Sequence, residues 1–312
     1  MTRSVNSFGL SPTNYDLSPY PPILHTLALI GLERMIPMQT MHFTVLGGDR
    51  RLCYTAEALR QAGHTVTKLA GDVRDVPDTP LLVLPVPLTR DGETLSAPSA
   101  DKPMPLQTLV DILPQSAQVF CGLAGDAADL FYRRGIRLYD YAKRDEFSIR
   151  NAVPTAEGAA EILLRYLPST VQRARILITG YGKTARACAR LLGNMGALVT
   201  VAARRCSALA AADSAGYRAL YLDEIYRFTD TFDAVVNTVP ACVLGERELA
   251  GVRRDCPIVE IASAPYGVDM DAARRLGLSV HIAPSLPGKI APKTAGIILA
   301  DTVLNILREG NA

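Results

Sequence analysis

The chain has 312 residues, of which 48% are hydrophobic, enough to bury a large core and, at the usual domain size, to form two domains. Its 33 Lys and Arg residues and 31 Asp and Glu residues leave a net charge of only +2. This balance provides no basic field for nucleic acid, so we expect a small-molecule ligand.

Cysteine and histidine usage and the absence of a long apolar run restrict the class of protein further. The six cysteines contain no C-x-x-C pair and the four histidines form no ligand cluster, so we predict no metal site and no disulfide framework. The longest apolar run near the start, residues 23–32, is too short to span a bilayer. We therefore expect a cytoplasmic protein that does not contact the membrane.

The chain begins with residues 1–40, which are rich in Ser, Pro, Asn and Tyr without any period. We expect a disordered leader there, or a stretch added by a wrongly assigned start site. From residue 41, strand-like runs such as HFTVLG alternate with helical runs such as LCYTAEALRQAG. The alternation predicts a parallel sheet with covering helices, and we assign residues 41–150 to a flavodoxin- or Rossmann-like substrate domain.

A helix is predicted within VPTAEGAAEILLRYL, with Pro154 at its start, Thr155 as the N-cap and Glu157 in the first turn. We interpret residues 151–168 as a linker helix between the domains.

The second half repeats the alternation with runs such as ARILITG, ALVTVAA and DAVVNTVP, which predicts a Rossmann domain over residues 169–285. The last segment, residues 286–312, ends in a long apolar helix that the second sheet does not need. We expect this helix to cross back and pack on the first domain. The predicted fold class is therefore α/β, with two doubly wound parallel-sheet domains.

A glycine-rich hexapeptide between a predicted strand and helix indicates a dinucleotide site. Its residues are Gly180, Tyr181, Gly182, Lys183, Thr184 and Ala185. In such a turn the first glycine permits a tight bend, the second lets the backbone approach a pyrophosphate, and the small third residue keeps the helix near the strand. A structural glycine turn is the alternative, which the flanking strand and amphipathic helix disfavour.

The residues after the other strands predict which dinucleotide is bound. An NAD site usually places Asp or Glu at the end of the second strand, whereas this chain has Arg204 and Arg205. Two guanidiniums suit a 2′-phosphate, so we predict NADP; two solvated surface arginines are the alternative. Further cofactor contacts are predicted at strand ends, where simple turn formation is the alternative: Asn237, Thr238, Val239, Pro240, Ala262 and Ser263.

With these motifs placed, residues from about 41 to 308 resemble the family formed by the A subunits of dipicolinate synthase. The glycine fingerprint occurs in many dehydrogenases, whereas PTAEG and LPGKIAPKTAG are much more specific. The leader is not part of the family pattern. The segments that carry the resemblance are VLGGDRR at 45–51, NAVPTAEGAAEI at 151–162, GYGKTARACARLLGNMGALVTVAARR at 180–205, VVNTVP at 235–240 and APSLPGKIAPKTAG at 283–296.

The resemblance implies that the substrate is the cyclic dicarboxylate 4-hydroxy-tetrahydrodipicolinate, which is dehydrated and oxidised to pyridine-2,6-dicarboxylate (dipicolinate). With the predicted NADP site, the chain would be the dehydrogenase component that takes the hydride. The resemblance also implies a flavoprotein-like partner, the B subunit of dipicolinate synthase, and sporulation as the context. It leaves a homo-oligomer open.

Such an oxidation needs a base and cations for two carboxylates. PTAEG and PKTAG, which start at Pro154 and Pro292, are predicted to open helices whose N-termini point into an interdomain cleft. The predicted catalytic residues are Glu157, as the base, and Lys289. The predicted substrate-binding residues are Asn151, Thr155, Lys293 and Arg90. Helix capping, dipole complementation and simple solvation are the alternatives for these side chains.

Asp145 is the second candidate for the base. His281, on the last predicted strand, could also carry a proton, although a satisfied strand histidine is the simpler interpretation.

Two other functions stay open from the sequence. One is a shikimate-dehydrogenase-like, NADP-dependent oxidoreductase; that class uses a Lys and Asp pair that we do not locate in the first domain. The other is an NADP-binding regulatory or scaffolding subunit without turnover of its own.

Overall fold

The computed structural model describes residues 39–70 and 80–310, and residues from Met41 onward belong to one compact unit. The predicted leader, residues 1–40, lies outside the described residues except for its last two. None of the helices in the described part of the chain has both the length and the apolar character that crossing a bilayer requires.

The first half forms a five-stranded parallel sheet in the order β2-β1-β3-β4-β5. Its central strands are apolar runs buried on both faces, as expected for a parallel sheet covered by helices. In chain order the elements are β1 (His42–Leu46), α1 (Arg50–Gln61), β2 (Thr65–Leu69), β3 (Leu81–Val83), α2 (Leu106–Ile112), β4 (Gln118–Cys121), α3 (Ala128–Arg133) and β5 (Arg137–Asp140).

The second half forms a six-stranded parallel sheet in the order β11-β10-β9-β6-β7-β8. The predicted fold class is confirmed, because both sheets are parallel and doubly wound. In chain order the elements are α4 (Asp145–Tyr166), β6 (Arg175–Thr179), α5 (Lys183–Asn194), β7 (Leu198–Ala203), α6 (Cys206–Ser214), β8 (Arg218–Tyr221), β9 (Ala234–Asn237), α7 (Glu246–Leu249), β10 (Ile258–Glu260), α8 (Met270–Leu276), β11 (Val280–Ile282), α9 (Leu286–Ile290) and α10 (Pro292–Gly310).

Helix α4 begins at Asp145, so the prediction that Pro154 starts a helix is wrong. Pro154 lies inside the 22-residue helix and is buried. A proline inside a helix removes one backbone hydrogen bond, but tertiary packing overrides this cost where the helix is held on several sides. Helix α4 is held by α5 of the second half and by both C-terminal helices.

Helix α10 crosses back and packs on α1, as the sequence predicts. Gly296 makes the close approach possible, because a Cβ built on it would lie 2.5 Å from the carbonyl oxygen of Arg51. The hydroxyl of Thr55 in α1 donates to the Gly296 carbonyl at 3.1 Å. The C-terminal helix is therefore fixed against α1 of the first half.

Candidate functional site

The strand order of the second sheet reverses between β6 and β9, and a cavity of about 640 Å3 opens at the carboxyl ends of β6, β7 and β9. Ligands bind at such reversals because the loops after the two strands diverge. The predicted glycine-rich hexapeptide, Arg204, Arg205 and residues 238–240 all line this cavity. The structure thus brings most of the predicted cofactor residues together.

The glycines of the hexapeptide have different physical requirements. Gly180 has φ +82°, and a Cβ there would lie 2.9 Å from the Thr238 hydroxyl oxygen and from Val239 Cγ2. Gly182 has an ordinary φ of −78°, and a Cβ there would meet nothing within 4 Å. Only glycine suits the first position, whereas the second leaves open space beside the backbone, as a bound pyrophosphate would need.

The N-terminus of α5 also faces this cavity, through Lys183, Thr184 and Ala185. Gly182 is the N-cap and supplies no side-chain acceptor, so the first N–H groups of this 12-residue helix stay available. The helix dipole favours an anion at that position. The local geometry suits a phosphate-bearing ligand.

Arg204 and Arg205 follow β7 and are both exposed. Neither guanidinium forms an ion pair with any carboxylate in residues 39–70 or 80–310. Their charge is therefore not neutralised by a described neighbour, and both can bind an anion at this end of the cavity.

Lys183 has a partner outside the cavity. Its ammonium lies 2.5 Å from Asp145 Oδ1 in the first turn of α4, and both side chains are exposed. The hydrogen bond from Lys183, followed by its charge, lowers the pKa of the Asp145 carboxyl. Asp145, the second candidate for the base, is thus held in its charged form by the fingerprint lysine.

Asn237 does not line the cavity but lies buried beneath it, and Ala262 and Ser263 lie outside the lining as well. The Asn237 amide nitrogen donates to both oxygens of the buried Glu260, at 2.7 and 2.8 Å. Its amide oxygen accepts from the Thr179 hydroxyl at 2.5 Å and from Val239 N at 3.2 Å. This network fixes the backbone of Val239, which does line the cavity.

Glu260 has no counterpart in the sequence-based predictions. Besides Asn237, its carboxylate accepts from three backbone nitrogens, those of Ala262, Gly267 and Val268, at 2.9, 2.9 and 3.1 Å. A buried carboxylate of this kind is stabilised by donors rather than by a cation. The acidic residue inside the apolar run PIVEIAS is the one signal that could have identified it.

A second, smaller cavity of about 50 Å3 lies at the carboxyl ends of β1 and β3, where the order of the first sheet reverses. Arg90, a predicted substrate-binding residue, lines it and is exposed. Asp49 and Arg51 line it too, although the sequence-based predictions omit both. They lie in the GGDRR segment that leads from β1 into α1, which is the signal that could have revealed them.

The Arg51 guanidinium is held in place from two sides. Its Nε lies 2.9 Å from Asp49 Oδ1, and its Nη2 donates to Asp49 Oδ2 at 2.8 Å and to the Val86 carbonyl at 2.7 Å. Burial raises the pKa of the Asp49 carboxyl, but the hydrogen bonds and charge of Arg51, with the charge of Arg90, lower it overall. Asp49 therefore remains a carboxylate that orients Arg51.

The remaining predicted substrate and catalytic residues lie on α4, α9 and α10 and line neither described cavity. Asn151 and Thr155 are half-buried in α4, where the Thr155 hydroxyl donates to the Asn151 carbonyl at 2.9 Å. Thr155 therefore makes a bond within the helix and is not an N-cap, which corrects the prediction. Lys289 in α9 and Lys293 in the first turn of α10 are exposed.

The hypothesis that PTAEG opens a helix toward a cleft is wrong, because those residues lie in the middle of α4. PKTAG does open a helix, α10, at Pro292. Glu157 is exposed, on a face shared with Arg150, Val153 and Glu161, and lines neither described cavity. Its predicted position in a first helical turn is therefore also wrong.

The His281 side chain contacts two neighbouring side chains. Its ring stacks on Tyr166 with centroids 3.8 Å apart, and its Nε2 lies 3.0 Å from the Ser279 hydroxyl. Burial lowers the pKa of the imidazole. These contacts agree with the interpretation of a satisfied strand histidine. Among the described residues, no group of three or more His, Cys, Asp or Glu side chains could hold a metal ion.

Comparison with known proteins identifies similar chains. A family model described as the N-terminal domain of the dipicolinate synthase A subunit matches residues 42–142. Over 233 residues the chain is 30% identical to the A subunit of dipicolinate synthase from Bacillus subtilis (strain 168), covering 73% of this chain and 77% of that protein.

Two crystal structures carry the same name. The chain matches the A subunit of dipicolinate synthase from Bacillus halodurans with a TM-score of 0.79 and 24% identity, over 86% of this chain and 97% of that one. It matches the dipicolinate synthase A subunit from Bacillus subtilis with a TM-score of 0.79 and 26% identity, over 87% and 97%. The fold extends over nearly the whole of both relatives.

Proposed function

The chain belongs to the family of dipicolinate synthase A subunits, and from that premise we propose that it oxidises 4-hydroxy-tetrahydrodipicolinate to dipicolinate during sporulation. The overall change removes one water, then one hydride and one proton, and leaves an aromatic pyridine ring. Aromatisation makes the hydride transfer strongly favourable, so turnover runs in one direction. The B subunit of dipicolinate synthase is the proposed protein partner.

The observation that carries this proposal is the cavity of about 640 Å3 at the reversal point of the second sheet. It combines a glycine turn with open space at Gly182, a helix N-terminus without a side-chain cap, and two arginines that no described carboxylate neutralises. These residues fit a nicotinamide dinucleotide, whose pyrophosphate the backbone N–H groups of α5 would hold. When bound, that cofactor supplies the hydride acceptor.

We propose NADP rather than NAD because of the residues after β7. A ribose with two free hydroxyls is usually held there by an acidic side chain, whereas this chain presents Arg204 and Arg205. Both line the cavity, and a 2′-phosphate would neutralise their charge through bidentate hydrogen bonds. The two guanidiniums thus support the phosphorylated cofactor.

For the substrate, we propose the cations and polar groups that lie in the loop after β3 and on α4, α9 and α10. Arg90, Lys289 and Lys293 supply positive charge for two carboxylates, and Asn151 and Thr155 supply hydrogen bonds. Lys289 follows Gly288, whose Cα hydrogens face Arg51: a Cβ there would lie 2.8 Å from Arg51 Nε. Arg90, which lines the smaller cavity, and Lys289, which follows a residue that contacts Arg51, are therefore the cations proposed closest to that cavity.

We propose Glu157, on the exposed face of α4, as the base. Glu157→Gln tests it, with Glu161→Gln one turn further along the same face as the control. Lower turnover in the first variant alone would support Glu157 as the base. Equal turnover in both variants would remove it.

The experiment that tests the function uses the purified chain with freshly generated substrate and NADP⁺, with and without the B subunit. Dipicolinate is followed by its ultraviolet absorbance and reduced cofactor by its own absorbance. We expect both products in equal amounts. Product only when the B subunit is present would instead identify the chain as a cofactor-binding scaffold, and no product in either tube would refute the proposal.

A further inference from the structure

The smaller cavity, beside Arg51, is not explained by the dinucleotide site. It lies where the first sheet reverses between β1 and β3, so that the turn after β1 and the segment after β3 diverge. This is the position at which open α/β sheets bind ligands. Leu299 of α10 also lines the cavity, so residues from three separate parts of the chain enclose it.

Arg51 lines this cavity, and its side chain is only 11% exposed. Asp49 and the Val86 carbonyl engage its Nε and Nη2. Its Nη1 forms no hydrogen bond with any residue of the described chain, although a guanidinium has five N–H donors. A rigidly oriented guanidinium with one free edge is suited to bind an oxyanion.

Two further groups in the same cavity point to an anionic ligand. The Ser96 hydroxyl is buried and has no hydrogen-bond partner among the described residues. A buried polar atom of this kind is unfavourable unless a ligand or water satisfies it. The charge of Arg90 acts on Asp49, so the cavity contains two cations and one carboxylate. Arg51, Arg90 and Asp49 together give the cavity a net charge of +1, which favours an anionic ligand.

We propose that Arg51, Arg90 and Ser96 form a subsite for one carboxylate of the substrate. This inference rests on the proposed function, which supplies a cyclic dicarboxylate. The cavity of about 50 Å3 exceeds the roughly 10–15 Å3 that is needed to hold one water, which gives room for a carboxylate group but not for the six-membered ring. Asp49 is a positioning residue, because it touches Arg51 and fixes the direction of its free edge.

The test measures dipicolinate binding by titration calorimetry, because dipicolinate is stable and carries both carboxylates. We expect Arg90→Ala to weaken binding about tenfold and Arg51→Lys at least as much, since Lys does not reproduce the planar fork. Arg50→Ala is the matched control: Arg50 is adjacent in sequence and exposed, and lies outside the cavity. The dipicolinate affinity of Arg50→Ala should match that of the unmodified chain. The NADP⁺ affinity should be the same in the unmodified chain and in all three variants.

Arg51→Lys also alters the ion pair with Asp49, whereas Ser96→Ala and Arg90→Ala leave this pair intact. Unchanged dipicolinate affinity in Arg90→Ala and Ser96→Ala, or no binding by the unmodified chain, would overturn the subsite. The proposed function is tested separately, by dipicolinate formation with the B subunit. If the unmodified chain and the B subunit form no dipicolinate while Arg90→Ala still weakens dipicolinate binding, the subsite is supported and the proposed reaction is refuted.

Discussion

Replacing Glu260 with Gln tests the network beneath the large cavity with almost no change in side-chain volume. The Glu260 carboxylate is fully buried, and every group that touches its oxygens is a donor. Oε1 accepts two hydrogen bonds, from Asn237 Nδ2 and Ala262 N. Oε2 accepts three, from Asn237 Nδ2, Gly267 N and Val268 N. A glutamine must place an NH2 group against one of these two sets.

Fewer hydrogen bonds are lost when the glutamine NH2 group takes the Oε1 position, where two donors lose their acceptor, than when it takes the Oε2 position, where three do. Hydrogen bonds to a charged group contribute about 1.5–3 kcal/mol each, so we expect the free energy of unfolding to fall by about 3–6 kcal/mol. That is a large fraction of the roughly 5–15 kcal/mol of a typical domain. Cofactor affinity should fall too, because Asn237 fixes Val239 in the cavity wall.

Urea denaturation followed by circular dichroism measures the effect, since the chain has no tryptophan. Glu246→Gln is the control, because its carboxylate is exposed and pairs with Arg275 at 3.0 Å across the surface. Such a pair contributes about 0–1 kcal/mol. Equal losses in the two variants would refute the reasoning that Glu260 is held by buried, charge-assisted hydrogen bonds.

Three other substitutions test the cofactor cavity and the pH dependence of folding. Arg204→Asp should lower the ratio of NADP⁺ to NAD⁺ affinity at least about tenfold by removing a 2′-phosphate partner, and an unchanged ratio in calorimetric titrations would exclude that role. Gly182→Ala should fold normally, because a Cβ there meets nothing within 4 Å, but it should bind NADP⁺ less tightly. The control Gly245→Ala, at an N-cap with nearly the same backbone angles, should bind NADP⁺ normally. Equal NADP⁺ affinities of the two variants would contradict the pyrophosphate assignment. The pKa of the His64 imidazole is lowered, mainly by burial and secondly by the charge of Arg308. As the pH falls below about 6.5, His64 therefore takes up a proton in the unfolded chain before it does so in the folded chain, and the free energy of unfolding should decrease. His64→Gln should flatten this dependence in denaturation curves, and an unaltered slope would be evidence against it.

The sequence by itself determined the parts of this protein that follow from neighbouring residues. Alternating apolar and helical runs predicted two parallel sheets, because side-chain periodicity reflects local backbone geometry. The glycine turn and the arginines after β7 were readable for the same reason, since strand, turn and helix follow one another within about thirty residues of a βαβ unit.

Tertiary structure alone decided where α4 begins and which side chains meet. Pro154 looks like a helix start locally, but packing against α5, α9 and α10 carries the helix through it. Arg51 lies in the first turn of α1 and meets Arg90 and Ser96 from the segment between β3 and α2, and Glu260 meets donors on β9 and on the loop after β10. Such pairings depend on strand order and loop direction in space, which no local pattern of residues encodes.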